Sequence, residues 1–155
     1  MAQQDQYCTF MLDGLLFGVE VERVQEVLTA PRMTCVPLAC SIVGGLVNQR
    51  GQIVTALELR RRLGIKDRSD DRSPMIIMVR TETGVVAWLV DEIGDVIETA
   101  AADFEPAPQT LQGLGRELIR GAFKLETQLL LVLDVEKVMS YREEARKGWA
   151  AAQGA

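Results

Sequence analysis

The beginning of the chain alternates between apolar and polar positions with a period of two, which is typical of β-strands. Over residues 6–12, Phe10 and Leu12 share one face of the predicted strand. The dipeptide Asp13-Gly14 follows and is a strong signal for a tight hairpin turn. The alternation resumes over residues 15–19, so the chain is predicted to open with a β-hairpin.

The spacing changes to three and four residues between positions 20 and 28, which predicts a short amphipathic helix. The apolar positions of this pattern are Val21, Val24, Val27 and Leu28. The helix is predicted to have about two turns and to end before Pro31. Val24 and Glu26 would lie at the edge of its apolar stripe, where a partner could reach them.

A polar turn separates two apolar segments within residues 44–64. The segment Asn48-Gln49-Arg50-Gly51 follows the apolar pair Leu46-Val47 and precedes an alternating strand over residues 51–57. Glycine directly after Arg50 is a turn signal. Such a turn would hold Arg50 at the surface, with its planar guanidinium available to a carboxylate on a partner.

Three consecutive arginines lie on the helical turn that is predicted over residues 58–63; they are Arg60, Arg61 and Arg62. Neighbouring residues of a helix point in different directions. The arginines are therefore expected to splay around the turn and not to form one basic patch. They would solvate the surface or pair with nearby acids such as Glu58.

The rest of the chain also favours short strands and turns. Strands are predicted over residues 75–80, 85–90, 91–97 (with a kink at Gly94), 118–125 and 129–133. Residues 34–37 are predicted to be extended, residues 38–43 helical or irregular, and residues 66–73 and 100–116 loops. Asp134 can cap a final helix over residues 135–147. A total of about eight or nine short strands favours an all-β barrel or sandwich with minor helices.

The composition limits the choice of partners and compartments. The 155 residues fit one domain, or two small lobes that share a core, and the net charge of −5 argues against a general nucleic-acid binder. Three cysteines, Cys8, Cys35 and Cys40, match no zinc spacing and are interpreted as thiols in a reducing cytoplasm. No signal peptide is visible, and the longest glycine-free apolar run, residues 85–90, is far shorter than the ~20 residues of a spanning helix. Direct membrane insertion is therefore not expected.

The chain has no histidine, which removes Ser-His and Cys-His nucleophilic sites, histidine-ligated metals and phosphorylation on histidine. An acidic cluster of Asp91, Glu92 and Asp95 could bind a cation. On an extended strand, however, Glu92 points away from the other two, and solvated surface charge is the favoured interpretation. No constellation of residues supports catalysis, so no catalytic residue, cofactor or metal is expected.

Several ordered motifs resemble those of the CheW-type coupling proteins of bacterial chemotaxis. They are FMLDGLLFGV at residues 10–19, VQEVL at 24–28, Val36-Pro37, the stretch 44–64, VDEIGDV at 90–96 and LLVLDVEKV at 130–138. Each motif alone is weak, but their order and spacing are fairly specific. The resemblance extends over about residues 6–140.

The resemblance implies a fold of two small five-stranded SH3-like barrels that share an apolar core, plus a C-terminal helix. It implies a single CheW-like domain over residues 6–147, built of two interleaved subdomains. Residues 1–5 and 148–155 would be flexible termini.

The resemblance also implies a non-enzymatic adaptor that couples the cytoplasmic tips of methyl-accepting chemotaxis receptors to a CheA-type histidine kinase. Such a protein would be a cytoplasmic monomer in isolation and part of receptor arrays at the inner face of the membrane. By matching motifs, the partner-binding residues would be Val24, Glu26 and Arg50, flanked by Leu46, Val47 and Gly51. The family usually has leucine where this chain has Gln49, so the turn is more polar here.

Two other interpretations remain open. A small-ligand-binding or catalytic β-barrel, with a pocket between the lobes, would use the acidic cluster at residues 91–95 and the long loop at 100–116. A CheW-like scaffold of a non-flagellar chemosensory pathway is equally compatible with the motifs.

Overall fold

The computed structural model describes residues 4–29, 33–34, 42–67, 73–100, 103–108 and 114–141. The strands are β1 Gln4–Leu12, β2 Leu15–Glu20, β3 Val24–Leu28, β4 Met33–Thr34, β5 Val43–Gln49, β6 Gln52–Glu58, β7 Met75–Thr81, β8 Gly84–Val90, β9 Glu92–Ala100, β10 Phe104–Glu105, β11 Ile119–Lys124 and β12 Leu129–Leu133. The helices are α1 Leu59–Arg62, α2 Leu114–Leu118 and α3 Val135–Val138, with 3-10 turns at Val21–Arg23 and Met139–Tyr141.

The strands form two mixed sheets of the same size. One has the order β10-β11-β12-β2-β1-β9 and the other the order β3-β7-β8-β6-β5-β4. Each contains one parallel pair, β12 with β2 and β6 with β8. Because β4 and β10 have only two residues each, each sheet consists of five longer strands and one short edge strand. This confirms the predicted all-β fold.

Each sheet curls around an apolar cluster of its own. In the second sheet, the side chain of Gln49 on β5 donates to Glu26 on β3, although these strands lie towards opposite ends of the sheet. In the first sheet, the rings of Tyr7 on β1 and Phe123 on β11 lie 5.5 Å apart, with two strands between them in the sheet order. Contact between the two ends of a sheet requires the sheet to bend round on itself. We call the two units the first barrel (β1, β2, β9–β12) and the second barrel (β3–β8).

A third and larger apolar cluster, the shared core, joins the two barrels. Phe10 and Phe17 of the first barrel stack with ring centroids 6.0 Å apart, and Trp88 of the second barrel meets Phe10 edge-on at 6.5 Å. Side chains alternate along β7, so that Ile77 points into the shared core while Met78 points into the second barrel. Strand β7 is thereby buried on both faces.

A buried ion pair links the barrels beside the shared core. Arg60 Nε donates to Asp91 Oδ1 at 2.8 Å, and Asp91 Oδ2 accepts the backbone N–H of Asp13, in the β1–β2 turn, at 2.9 Å. Arg60 Nη1 also donates to the carbonyl of Lys66. The hydrogen bonds to Asp91 raise the pKa of Arg60 above its ordinary value, against the lowering effect of burial. The buried charge of Arg60, at the edge of the shared core, is therefore paired with Asp91.

The three arginines splay as predicted, and of the two expected roles Arg60 pairs with an acid, although that acid is Asp91 and not Glu58. The Arg60 side chain is only 6% exposed because it reaches Asp91 across the barrels. Glu58 accepts the backbone N–H of Arg60 as a helix cap. Arg61 pairs with Asp67, and Arg62 donates to carbonyls at the end of α3.

The predicted helix between positions 20 and 28 is wrong. Only Val21–Arg23 form a 3-10 turn, and Val24–Leu28 form strand β3, which pairs antiparallel with β7. The valines fit both a helical stripe and a strand, and β-branched side chains favour the strand. Pairing with the exposed edge of β7, a long-range contact, decides between the two.

Most other element predictions are confirmed. Asp134 caps α3 by accepting the backbone N–H of Lys137, and the bulge opposite Thr9 coincides with the kink predicted at Gly94. The predicted loop at 100–116 is interrupted by β10 and by the start of α2. Residues 35–41, 68–72 and 142–155 lie outside the described ranges, so the segment at 34–37 and the end of the final helix stay predictions there. The domain limits 6 and 147 also stay predictions.

Replacing Arg60 with methionine should lower the free energy of unfolding by about 3–5 kcal/mol, because Asp91 would stay buried without its charge partner. The exposed neighbour Arg61 provides a control, since loss of its pair with Asp67 should cost no more than about 1 kcal/mol. Urea unfolding of Arg60→Met and Arg61→Met measures both values. Equal losses in the two variants would contradict the role given to the buried pair.

Candidate partner-binding surface

Strands β5 and β6 are joined by a two-residue turn. Gln49 pairs with Gln52 across the hairpin, and the residues between them, Arg50 and Gly51, have φ angles of 53° and 83°. Two successive positive φ angles define the type I′ turn, whose twist matches that of the flanking strands. The side-chain oxygen of Asn48 accepts the backbone N–H of Gly51 at 3.2 Å. The turn predicted at Arg50-Gly51 is thus present.

Arg50 occupies a backbone conformation that costs free energy for a residue with a side chain. The left-handed region is unfavourable by roughly 1–2 kcal/mol for most L-residues. Arg50 forms an ion pair with Glu26 at 3.3 Å, but its side chain is 81% exposed. Such exposed pairs contribute only about 0–1 kcal/mol. Stability therefore does not favour arginine at this position.

Glu26 has two partners in the hairpin, one through a hydrogen bond and one through an ion pair. Gln49 Nε2 donates to Oε1 of Glu26, and Arg50 approaches Oε2. The carboxylate lies on β3, at one edge of the second sheet, while the hairpin lies towards the other edge. These contacts close one mouth of the second barrel. The Glu26 side chain is 21% exposed, so it is largely covered by the groups that hold it.

Two exposed apolar side chains lie close to this cluster in the sequence, and residue spacing did not single them out. Ile53, opposite Asn48, is 71% exposed, and Val27 of β3 is 45% exposed. In β6 the neighbouring Val54 points inwards, so alternation alone places Ile53 outside. Val27 was missed because the helical interpretation put it in the stripe that faces the core.

The other predicted site residues have different surroundings. Val47 is buried in the second barrel, so its side chain supports the hairpin from within and offers nothing to a partner. Val24 is partly buried against the shared core. Leu46 is half-buried opposite Thr55, and Gly51 is exposed at the turn. The structure brings Glu26, Arg50 and Gly51 together and places Val24 at the far end of β3.

The acidic cluster predicted at residues 91–95 is not a set of three solvated carboxylates, because Asp91 accepts hydrogen bonds from Arg60 and Asp13. Within the described ranges, no group of three acidic, cysteine or histidine side chains could hold a metal ion. In the same part of the chain, no helix has the length and hydropathy needed to cross a bilayer.

The first barrel carries an open cleft of about 440 Å³, lined mostly by polar residues that include Tyr7, Glu20 and Arg120. Burial raises the pKa of Tyr7, and the nearby charges of Asp5 and Glu20 raise it further. A phenol with a raised pKa is a weaker acid and stays neutral at physiological pH. Tyr7 is therefore not an activated nucleophile or base.

Comparison with known proteins identifies the family of the chain. A model of the CheW-like domain matches residues 6–143. The chain belongs to the CheW-like domain family. Chemotaxis protein CheW of Treponema pallidum (strain Nichols) is 28% identical over 145 residues, which cover 91% of this chain and 85% of that protein. Chemotaxis protein CheW of Bacillus subtilis (strain 168) is 28% identical over 130 residues, covering 84% and 83%.

A solved structure shows the same fold. The crystal structure of scaffolding protein TtCheW from Thermoanaerobacter tengcongensis superposes with a TM-score of 0.79 at 22% identity, covering 89% of this chain and 94% of that one. The two-barrel arrangement is thus the family's fold.

Replacing Gly51 with alanine should destabilise the protein by roughly 1–2 kcal/mol, because the added Cβ is strained at this positive φ. The space around Gly51 is open, so no steric clash contributes. Thr55→Ala, on the exposed face of the same hairpin, is the control and should change stability by less than about 0.5 kcal/mol. Urea unfolding measures both variants, and an unchanged midpoint for Gly51→Ala would argue against the turn geometry.

Proposed function

We propose that this chain is a non-enzymatic chemotaxis adaptor and that it binds a partner through the mouth of the second barrel. The surface consists of Glu26 and Val27 of β3 and Arg50, Gly51 and Ile53 of the hairpin. The conformation of Arg50 carries the proposal, since an exposed cation is held there at a cost in stability. The names of the relatives, chemotaxis protein and scaffolding protein, support the same role.

The surface combines the two components of a small protein–protein contact. Ile53 and Val27 supply exposed apolar area that a partner can bury. Arg50 supplies directional, charge-assisted hydrogen bonds to carboxylate or carbonyl oxygens. A partner that fits would present an apolar ridge beside such oxygens. The activity then consists of affinity and geometry and requires no bond-making step.

The partners that we infer are the cytoplasmic tips of methyl-accepting chemotaxis receptors and a CheA-type histidine kinase. An adaptor has to bind both at once, so it needs two separable surfaces. The mouth of the second barrel is one of them, and the predicted residues Val24 and Leu46 are half-buried. The chain would act in the cytoplasm within receptor arrays. A non-flagellar chemosensory pathway would use the same chemistry with another receptor.

Replacing Arg50 with asparagine should weaken binding to a receptor cytoplasmic fragment or to the kinase about tenfold or more, because a charge-assisted hydrogen bond is lost. Asparagine tolerates the left-handed conformation, so the turn should be retained. Titration calorimetry with each partner measures the affinity, and urea unfolding checks the fold.

Arg120→Asn is the matched control for that experiment. Arg120 also forms an exposed ion pair with a glutamate, Glu20, but lies on the first barrel. Its replacement should leave affinity at the second barrel unchanged. If Arg50→Asn binds both partners as tightly as the wild type, the assignment of Arg50 is wrong.

A further inference from the structure

The cluster at the mouth of the second barrel contains one group that the binding surface does not explain. Gln49 points its amide at Glu26, not at solvent, and donates to Oε1, while Arg50 holds Oε2. Each oxygen of the carboxylate therefore has its own partner: Oε1 accepts a hydrogen bond from a neutral amide, and Oε2 forms an ion pair with a guanidinium. Both partners are adjacent residues of the same hairpin.

The two partners of Glu26 differ in how easily they can move away from it. Arg50 is 81% exposed, so water can replace Glu26 around its guanidinium, whereas Glu26 is only 21% exposed. A largely covered carboxylate that loses its donors is left poorly solvated, which is unfavourable. If Arg50 were the sole partner of Glu26, the binding of Arg50 to a second protein would leave the carboxylate with no partner. When Arg50 moves to a partner, the amide of Gln49 still donates a hydrogen bond to Oε1 of Glu26.

We propose that Gln49 is a positioning residue that holds Glu26 on β3 and thereby releases Arg50 for a partner. Arg50 then exchanges between Glu26 in the free protein and an acceptor oxygen in the complex. The hydrogen bond from Gln49 determines how strongly Glu26 competes with the partner for Arg50. Gln49 therefore sets the affinity of the surface without contacting the partner. This inference rests on the proposed function for its partner, but the intramolecular exchange concerns the free chain alone.

The binding test is a double-mutant cycle between Gln49 and Glu26. Gln49→Leu has nearly the same size and removes the donor, so Glu26 should bind Arg50 more tightly and partner affinity should fall about five- to tenfold. In the Glu26→Gln background, Arg50 has no ion pair to break before it binds a partner. Gln49→Leu should therefore change affinity less than twofold in that background. Calorimetry with the receptor cytoplasmic fragment and with the kinase measures all four proteins.

The second test needs no partner. Hydrogen exchange of the Arg50 side-chain Nε–H, followed by NMR on the free protein, reports how firmly the guanidinium is held. Exchange should be slower in Gln49→Leu than in the wild type, and equal in Glu26→Gln with and without Gln49→Leu. A purely structural role of Gln49 would not couple its replacement to the charge at Glu26.

Gln52→Leu is the control, because Gln52 pairs with Gln49 across the hairpin and is exposed. It should leave both measurements unchanged. An equal affinity loss from Gln49→Leu in both backgrounds, a gain in affinity, or unchanged exchange of Arg50 would overturn the inference. If no partner binds the wild type while the exchange pattern is as expected, the proposed function fails and the role of Gln49 stands.

Discussion

The shared apolar core is the constraint on which the rest of the structure depends. Each barrel alone encloses a smaller apolar cluster than the shared core does. Three aromatic side chains, Phe10, Phe17 and Trp88, lie between the barrels. The barrels therefore have to form together, and the Arg60–Asp91 pair fixes their relative position at the edge of that core. A rigid two-barrel body is what allows a short turn at one end to present a defined surface.

Local patterns predicted the hairpins correctly, because their information lies in a few adjacent residues. Asp13-Gly14 and Arg50-Gly51 specify tight turns through positive φ angles, and alternation specifies which side chains face inwards. The strand β3 could not be predicted in this way. Its valines satisfy a helical and an extended pattern equally, and only pairing with β7, about 50 residues away in the sequence, decides between them.

The candidate site was predictable as a turn but not as a cluster. The sequence placed Arg50 at the surface, yet nothing local showed that Glu26, 23 residues earlier than Gln49, would accept its amide. The burial of Val47 and the exposure of Ile53 follow from the same alternation once β6 is placed in the sheet. The pairing of Arg60 with Asp91 was missed because their contact spans the two barrels. Contacts of this kind depend on topology, which residue spacing alone does not encode.

Hydrogen–deuterium exchange of the backbone amides, with and without the receptor cytoplasmic fragment, tests whether the mouth of the second barrel binds the receptor. Binding should slow exchange in Val24–Leu28 and around the turn between Val43–Gln49 and Gln52–Glu58, with little change in Ile119–Lys124 and Leu129–Leu133 of the first barrel. Protection confined to the first barrel, with none at the hairpin that carries Arg50, would contradict binding at this mouth.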